Sequence, residues 1–332
     1  MKIQSLLTLA ATSALITSAS ASITMDWVNV GNPGNAADPA TGSLYGAVAY
    51  AYQIGKHEVT NSQYGAFLNA VDPDGANANG VYNSNMGSNA RGGITYTAGS
   101  GSGAKYTLRT SMGDKPVNYV SWYDAARFAN WMMNGQGAGS TETGAYTLTG
   151  NTGIITKNSG ATVYLPSEDE WYKAAYYDPT PGAGGGDNYW LHASQSDTVL
   201  TVAAANATGD ITNPGANVAN YASGADWGTP AQNGNVTTVG SAGALAESYF
   251  GTADQGGNVW EWNDAVIPGS SRGLRGGAFN IAENGLRAST RNNNVPSSEL
   301  NFLGFRVASV PEPTSLLLTM LAGGVMLARR KR

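Results

Sequence analysis

Apolar positions recur at helical spacing in three stretches of the chain. In VTNSQYGAFLNAV, residues 59–71, Tyr64, Phe67, Leu68 and Val71 share one face, Thr60 stands as N-cap and Gln63 completes a capping box. In VSWYDAARFANWMMNG, residues 120–135, Ser121 caps, Asp124 follows three positions later, Ala125, Phe128, Ala129 and Met132 form the stripe, and Gly135 offers a stop. In LPSEDEWYKAAYYDP, residues 165–179, Ser167 and Glu170 form the box, Trp171, Ala174 and Ala175 face inward, and Pro179 ends the run. Three amphipathic helices are therefore predicted. Between them lie stretches such as 77–103, 134–153 and 178–190, too rich in Gly, Asn and Ser for helix and read as loops or short hairpins. Beyond residue 235 the pattern changes to short β-like pieces separated by glycine: GNVWEW, RGLRGGAF, NGLRAST and FLGFRVA. Arg272, Arg275, Arg287, Arg291 and Arg306 recur in and beside these pieces, and each is expected to answer a neighbouring carboxylate.

Composition sharpens this picture. Glycine supplies 44 of 332 residues and charged residues only 12%, against ordinary shares of about 7% and about 25%, which favours long turn-rich connections. The first 21 residues, with Lys2, an apolar run and the Ala19-Ser20-Ala21 pattern, read as a secretory signal peptide, the alternative being a buried N-terminal helix. At the other end, residues 310–332 carry Pro311-Glu312-Pro313, an apolar run from Leu316 to Ala328 and the basic group Arg329 to Arg332. That run is shorter than the ~20 residues that cross a bilayer comfortably. The segment resembles the PEP-CTERM sorting tail, which implies membrane association before processing by an exosortase and a place in the periplasm, on the outer surface or in the extracellular matrix of a Gram-negative bacterium. A plain membrane anchor is the alternative.

Charge and residue counts exclude several chemistries. Residues 22 to 310 hold 13 Lys and Arg against 22 Asp and Glu, a net −9, which argues against a nucleic-acid partner. There is no cysteine, so no disulfide, thiol nucleophile or thiolate ligand exists. In NVWEW a strand would turn Trp260 and Trp262 to one face and Glu261 to the other, so a carboxylate beside two buried rings needs a partner. A Ca²⁺ ion held by carboxylates and carbonyls meets that need, and so does an arginine such as Arg275.

Read in order, YQIGKHEVTNSQYGAFLNAV, KPVNYVSWYDAARFANWM, YLPSEDEWYKAAYYDP, GNVWEW, LRGGAF and NNVPSSELNFLGFRVA resemble the successive signatures of the formylglycine-generating enzyme, or sulfatase-modifying factor, family. The resemblance covers roughly residues 45–309 within a body of 22–309. It implies an α+β fold: one compact domain related to C-type lectins, with little regular secondary structure and long loops. It also implies calcium at the Trp-Glu-Trp motif, with the side chains of Asp254 and Glu261 and the carbonyls of Gly257 and Val259 as ligands. A second family calcium site would begin at Asn220 and the carbonyl of Tyr221. The family's copper-binding cysteines fall in RGGAFNIAENGLRAST, where Ala278, Asn280, Ile281 and Glu283 supply no soft ligand, so copper is not expected. A sister branch uses iron on three histidines; only His57 and His192 exist here, so iron is not expected either. The expectation is an exported binding module for a peptide or exopolysaccharide, stabilised by calcium. The alternative is an oxidoreductase that modifies an exported protein through a different residue set.

Overall fold

Local capping chemistry sets the helices. The computed structural model describes residues 22–149, 154–228 and 231–310. The leader expected over 1–21 and, Val310 apart, the sorting tail expected over 310–332 lie outside the described residues. Helix α1 spans Asn61–Val71, α2 Asn85–Ser88, α3 Trp122–Met133 and α4 Glu168–Tyr176. Each of α1, α3 and α4 opens on the anticipated box, Thr60 with Gln63, Ser121 with Asp124 and Ser167 with Glu170, in which side chain and backbone satisfy each other's free groups. Helix α3 stops where Gly135 takes φ +81°, its N–H bonding to the Met132 carbonyl.

The strands are short. In chain order they are β1 (Trp27–Val30), β2 (Tyr52–Gly55), β3 (Ile94–Tyr96), β4 (Tyr106–Leu108), β5 (Val163–Tyr164), β6 (Thr201–Val202), β7 (Val218–Ala219), β8 (Trp260–Ile267), β9 (Ser271–Arg275), β10 (Asn292–Asn294), β11 (Leu303–Phe305) and β12 (Ala308–Ser309). One antiparallel sheet runs β1-β2-β12-β5, so the last described strand is zipped between strands from the first half of the chain. A second runs β10-β9-β8-β11, antiparallel except for the parallel β8–β11 pair. The hairpin β3–β4 occupies the loop stretch between α1 and α3.

The core lies where α1 and α3 meet β11. Tyr64, Phe67, Phe128, Trp131 and Phe305 pack ring against ring at centroid distances of 5.1 to 6.4 Å, mostly tilted or edge-on, as ring quadrupoles favour. Mixed α and β structure in one compact domain is therefore observed, with four α-helices among the described residues. Two strand expectations are corrected. NGLRAST is not a strand: residues Glu283–Leu286 form a 3-10 turn, closed by the Arg287–Glu283 ion pair at 2.8 Å and by Thr290 donating to the Asn284 carbonyl. RGLRGGAF is a strand only to Arg275, because Gly276 and Gly277 adopt φ +96° and +79°, which end the ladder.

Candidate ion and ligand site

The Trp-Glu-Trp strand is buried on both faces. Trp260, Glu261 and Trp262 are each at most 3% exposed: β9 and β11 flank β8 within the second sheet, and α4 packs against it. Glu261 has its partner, and the partner is Arg306. Arg306 Nε donates to Glu261 Oε2 at 2.6 Å and its NH2 to Oε1 at 2.7 Å, while Trp171 Nε1 donates to Oε2 at 2.7 Å. The remaining guanidinium protons go to the carbonyls of Gly55, Lys56 and Ala253 at 2.9 to 3.0 Å. A bidentate, fully hydrogen-bonded pair of this kind is the form in which a buried ion pair is tolerated.

Arg275, the arginine named as an alternative partner, lies directly opposite Glu261 in the β8–β9 register but turns elsewhere. It pairs with Glu168 at 2.7 Å and donates to the carbonyls of Ala288 and Thr290. Arg291 takes the other Glu168 oxygen at 2.6 Å. Arg272 pairs with Asp264 at 3.2 Å and Arg287 with Glu283. All five arginines among the described residues of the C-terminal third thus answer an acid. The acids of the first turn of α4 are likewise committed: Asp169 accepts from the Gly46 N–H, and Glu170 from Tyr50, Tyr164 and the Ser167 N–H.

The two expected calcium sets adjoin, Gly257 lying against Asn220, whose side-chain oxygen is buried without a hydrogen-bond partner. Asp254, at φ +61°, accepts from the Gly240 N–H, and burial pushes its carboxyl up to about 6. Gly257, at φ +100°, lies against Asn220: a Cβ there would sit 2.3 Å from the Asn220 carbonyl oxygen. That carbonyl accepts from the Asn258 N–H, and the Asn220 amide donates to the Asn235 carbonyl, Thr237 and Asn258. Tyr221 donates its hydroxyl to the Leu200 carbonyl at 2.6 Å, and Val259 is buried among Met112, Trp227, Val236 and Phe279. Among the described residues no group of three or more His, Asp and Glu side chains is placed to hold a metal ion. With both Glu261 oxygens taken by Arg306 and Trp171, the residues present do not fit a calcium ion on Glu261.

Where the resemblance puts the copper thiols, Ala278 is buried, Asn280 is exposed, and Glu283 is tied to Arg287 and lies 2.8 Å from His192 Nε2. His57 lies beside Gly240; burial, Arg306 and Lys56 push its imidazole down to about 4.

One residue that sequence reasoning missed is Glu58, between His57 and Val59 in the lead into α1. It is 1% exposed; Asn258 Nδ2 donates to its Oε1 at 3.1 Å, and its Oε2 has no hydrogen-bond partner. Burial, with Asp254 and Glu261 nearby, holds its carboxyl well above the usual range. It lines a cleft of about 610 Å³ between the segment 22–26 and the first turn of α1. No local pattern marks an acid before an N-cap as buried, so only the fold reveals it.

Comparison with known proteins follows from this geometry. Residues 31–310 match the family model described as "Sulfatase-modifying factor enzyme 1-like domain". Two curated relatives, both named "Hercynine oxygenase", are 26% identical: that of Mycolicibacterium smegmatis over 219 residues, 59% of this chain and 38% of its own, and that of Mycolicibacterium thermoresistibile over 288 residues, 78% of this chain and 50% of its own. The chain thus spans half or less of the length of these relatives. Among solved structures, "Crystal Structure of CarF" superposes with a TM-score of 0.51 at 21% identity, covering 87% of this chain and 99% of that one, which is a likeness of fold.

Proposed function

Since the chain belongs to the sulfatase-modifying factor enzyme 1-like domain family yet holds no cysteine, we propose that it is a binding member of that family rather than a catalyst. In this reading it is an exported, surface-associated module that engages a peptide or saccharide through its loops and clefts. The carrying observation is the composition of the stretch where the family's thiols would fall. Ala278, Asn280 and Ile281 offer no nucleophile or soft ligand, and Glu283 is neutralised by Arg287. The leader and the PEP-CTERM-like tail support export and exosortase handling, and the acidic body supports a partner that is not nucleic acid.

Calcium has a smaller place in this proposal than the sequence suggested. Arg306 supplies fixed positive charge to Glu261, the role that an ion at that carboxylate would otherwise fill. A second reading, an oxidoreductase acting on an exported protein, is favoured by the names of the two relatives. It requires a site built from neither thiols nor three histidines of one chain, since the chain has two histidines in all.

The test is direct. The purified full-length chain is incubated with a cysteine-containing sulfatase peptide, copper and oxygen, and the peptide is analysed by mass spectrometry. Unchanged peptide is expected; formylglycine in the product would return the protein to the enzymes.

A further inference from the structure

We infer that the cleft at the end of β4 binds the carboxylate of a uronic acid residue in a saccharide, with Arg109 as the anchor. The inference names the ligand class of the binding proposal and rests on it. The cleft has a volume of about 430 Å³. Arg109 and Thr110, which directly follow β4, contribute one part of its lining, and Trp227 and Gln232 contribute another.

What singles out Arg109 is the state of its guanidinium. The side-on edge of an arginine, Nε with Nη2, matches the two oxygens of a carboxylate. Arg127, Arg287, Arg291 and Arg306 each lay that edge on one acid, respectively Glu142, Glu283, Glu168 and Glu261. Arg91 lays it on the carbonyls of Gly234 and Gln232, Arg275 gives Nε to Glu168, and Arg272 gives Nη2 to the Ile155 carbonyl. Among the described residues Arg109 is the one arginine whose Nε and Nη2 both donate to nothing in the chain. It is held in place all the same: the side chain is half-buried, and Nη1 donates to the carbonyls of Asn89 and, at 2.6 Å, Gly92. A guanidinium fixed by one nitrogen, with its fork open, receives a planar anion at little ordering cost.

The surroundings favour a negative ligand. No Asp or Glu lines the cleft among the described residues. Asp226, the acid beside Trp227 in the sequence, turns Oδ1 to the N–H groups of Gln232 and Gly234. Arg91 follows the lining residue Ala90 and adds a second positive charge, while its two carbonyl contacts fix the backbone at Gln232 and Gly234. In an acidic body such a cleft stands out as locally positive. The carrier of the anion follows from the other lining groups. Thr110 and the Gln232 amide belong to side-chain types that both donate and accept, as sugar hydroxyls do, and Trp227 with Leu108 and Met112 gives apolar surface for the ring carbons. An extended peptide is disfavoured because the outer edge of β4 is already occupied: Asn69 accepts from the Tyr106 N–H and donates to the Tyr106 carbonyl, leaving no strand edge there for a peptide to join.

Isothermal titration of the full-length chain with methyl β-glucuronide, in chelator so that no calcium bridges the sugar, tests the site against methyl β-glucoside, which keeps the ring and lacks the carboxylate. Saturable binding of the glucuronide is expected, at least about tenfold tighter than the glucoside, as a charge-assisted bidentate pair requires. Arg109→Lys keeps the charge and a donor for the Asn89 and Gly92 carbonyls but removes the fork, and should weaken glucuronide binding by about tenfold. Thr110→Val, at an exposed side chain, should weaken it by about two- to threefold with melting unchanged. Equal binding of the two glycosides, or parental affinity in Arg109→Lys, would overturn the inference. So would equally tight binding of N-acetyl-aspartate methylamide or of sulfate, which would assign the open edge to a peptide or to any small anion. Should Arg109→Lys fail to fold, the glycoside pair on the parent chain and Thr110→Val still decide. Absence of glucuronide binding with an unmodified sulfatase peptide overturns this inference and leaves the binding proposal standing, whereas formylglycine formation overturns that proposal whatever the titration shows.

Discussion

Removing the Arg306 guanidinium tests whether an arginine has taken the place of an ion. All five of its N–H donors are used, two on Glu261 and three on the carbonyls of Gly55, Lys56 and Ala253. Arg306→Met leaves a carboxylate buried without its counter-charge, a loss of about 3–5 kcal/mol. It also strips three carbonyls of a donor, at about 1 kcal/mol each before relaxation. Protonation of Glu261 recovers part of this, so the net destabilisation should be on the order of 4–6 kcal/mol, comparable with the whole stability of many domains. In the double variant Arg306→Met with Glu261→Leu no charge remains, and only Trp171 Nε1 and the three carbonyls lack partners. About 2–3 kcal/mol should then be lost, less than in the Arg306→Met single variant. Urea unfolding followed by tryptophan fluorescence measures all four corners of the cycle, each with calcium and with chelator. The parent should unfold at the same midpoint in both. A single variant within about 1 kcal/mol of the parent, or a parent midpoint that drops in chelator, would show that an ion and not Arg306 balances Glu261.

Two further outcomes follow from the same region and from the α3 cap. Gly257→Ala puts a Cβ 2.3 Å from the Asn220 carbonyl oxygen at φ +100°, and should cost at least about 3 kcal/mol by thermal melting; an unchanged Tm would refute the close packing of the two loops. Asp124 is buried beside Ser121, Arg127 and Glu299, and burial, with Glu299 adding, pushes its carboxyl up to about 7. The folded chain therefore binds a proton between about pH 4 and pH 7 that the unfolded chain has released, so this contribution to stability is largest on the acid side and is lost as pH rises through about 7. Glu299→Gln should make the fall over that window shallower, and an unaltered slope in the pH dependence of the urea midpoint would refute the link.

The helices were legible because their signals are local. Thr60 with Gln63, Ser121 with Asp124 and Ser167 with Glu170 decide three starts within four residues each, and no distant contact is needed to read them. The need of Glu261 for a partner was legible too, from two large rings on a short strand. Which partner it takes was not. Arg275 stands across the ladder from Glu261, so strand register alone favours it; but Glu168, on a helix a hundred residues earlier in the chain, draws it away and leaves Glu261 to Arg306 beyond the end of β11. The strand expected over NGLRAST failed for a related reason: an Arg287–Glu283 pair one helical turn apart closes a 3-10 turn, and apolar alternation cannot report an ion pair.

Scarcity of charge ties these observations together. With only 12% of residues charged, the chain has few ions to distribute, and the arginines among the described residues of its last third all go to named acids. Such internal pairing is favourable only when geometry is good and every remaining donor is used, which is the condition Arg306 meets. The surface loops are left to Gly, Asn, Ser and Thr, so they contribute little field of their own. The same economy leaves Glu58, buried with one carboxylate oxygen unpartnered, held toward its neutral form, since the nearest arginine, Arg306, is spent on Glu261.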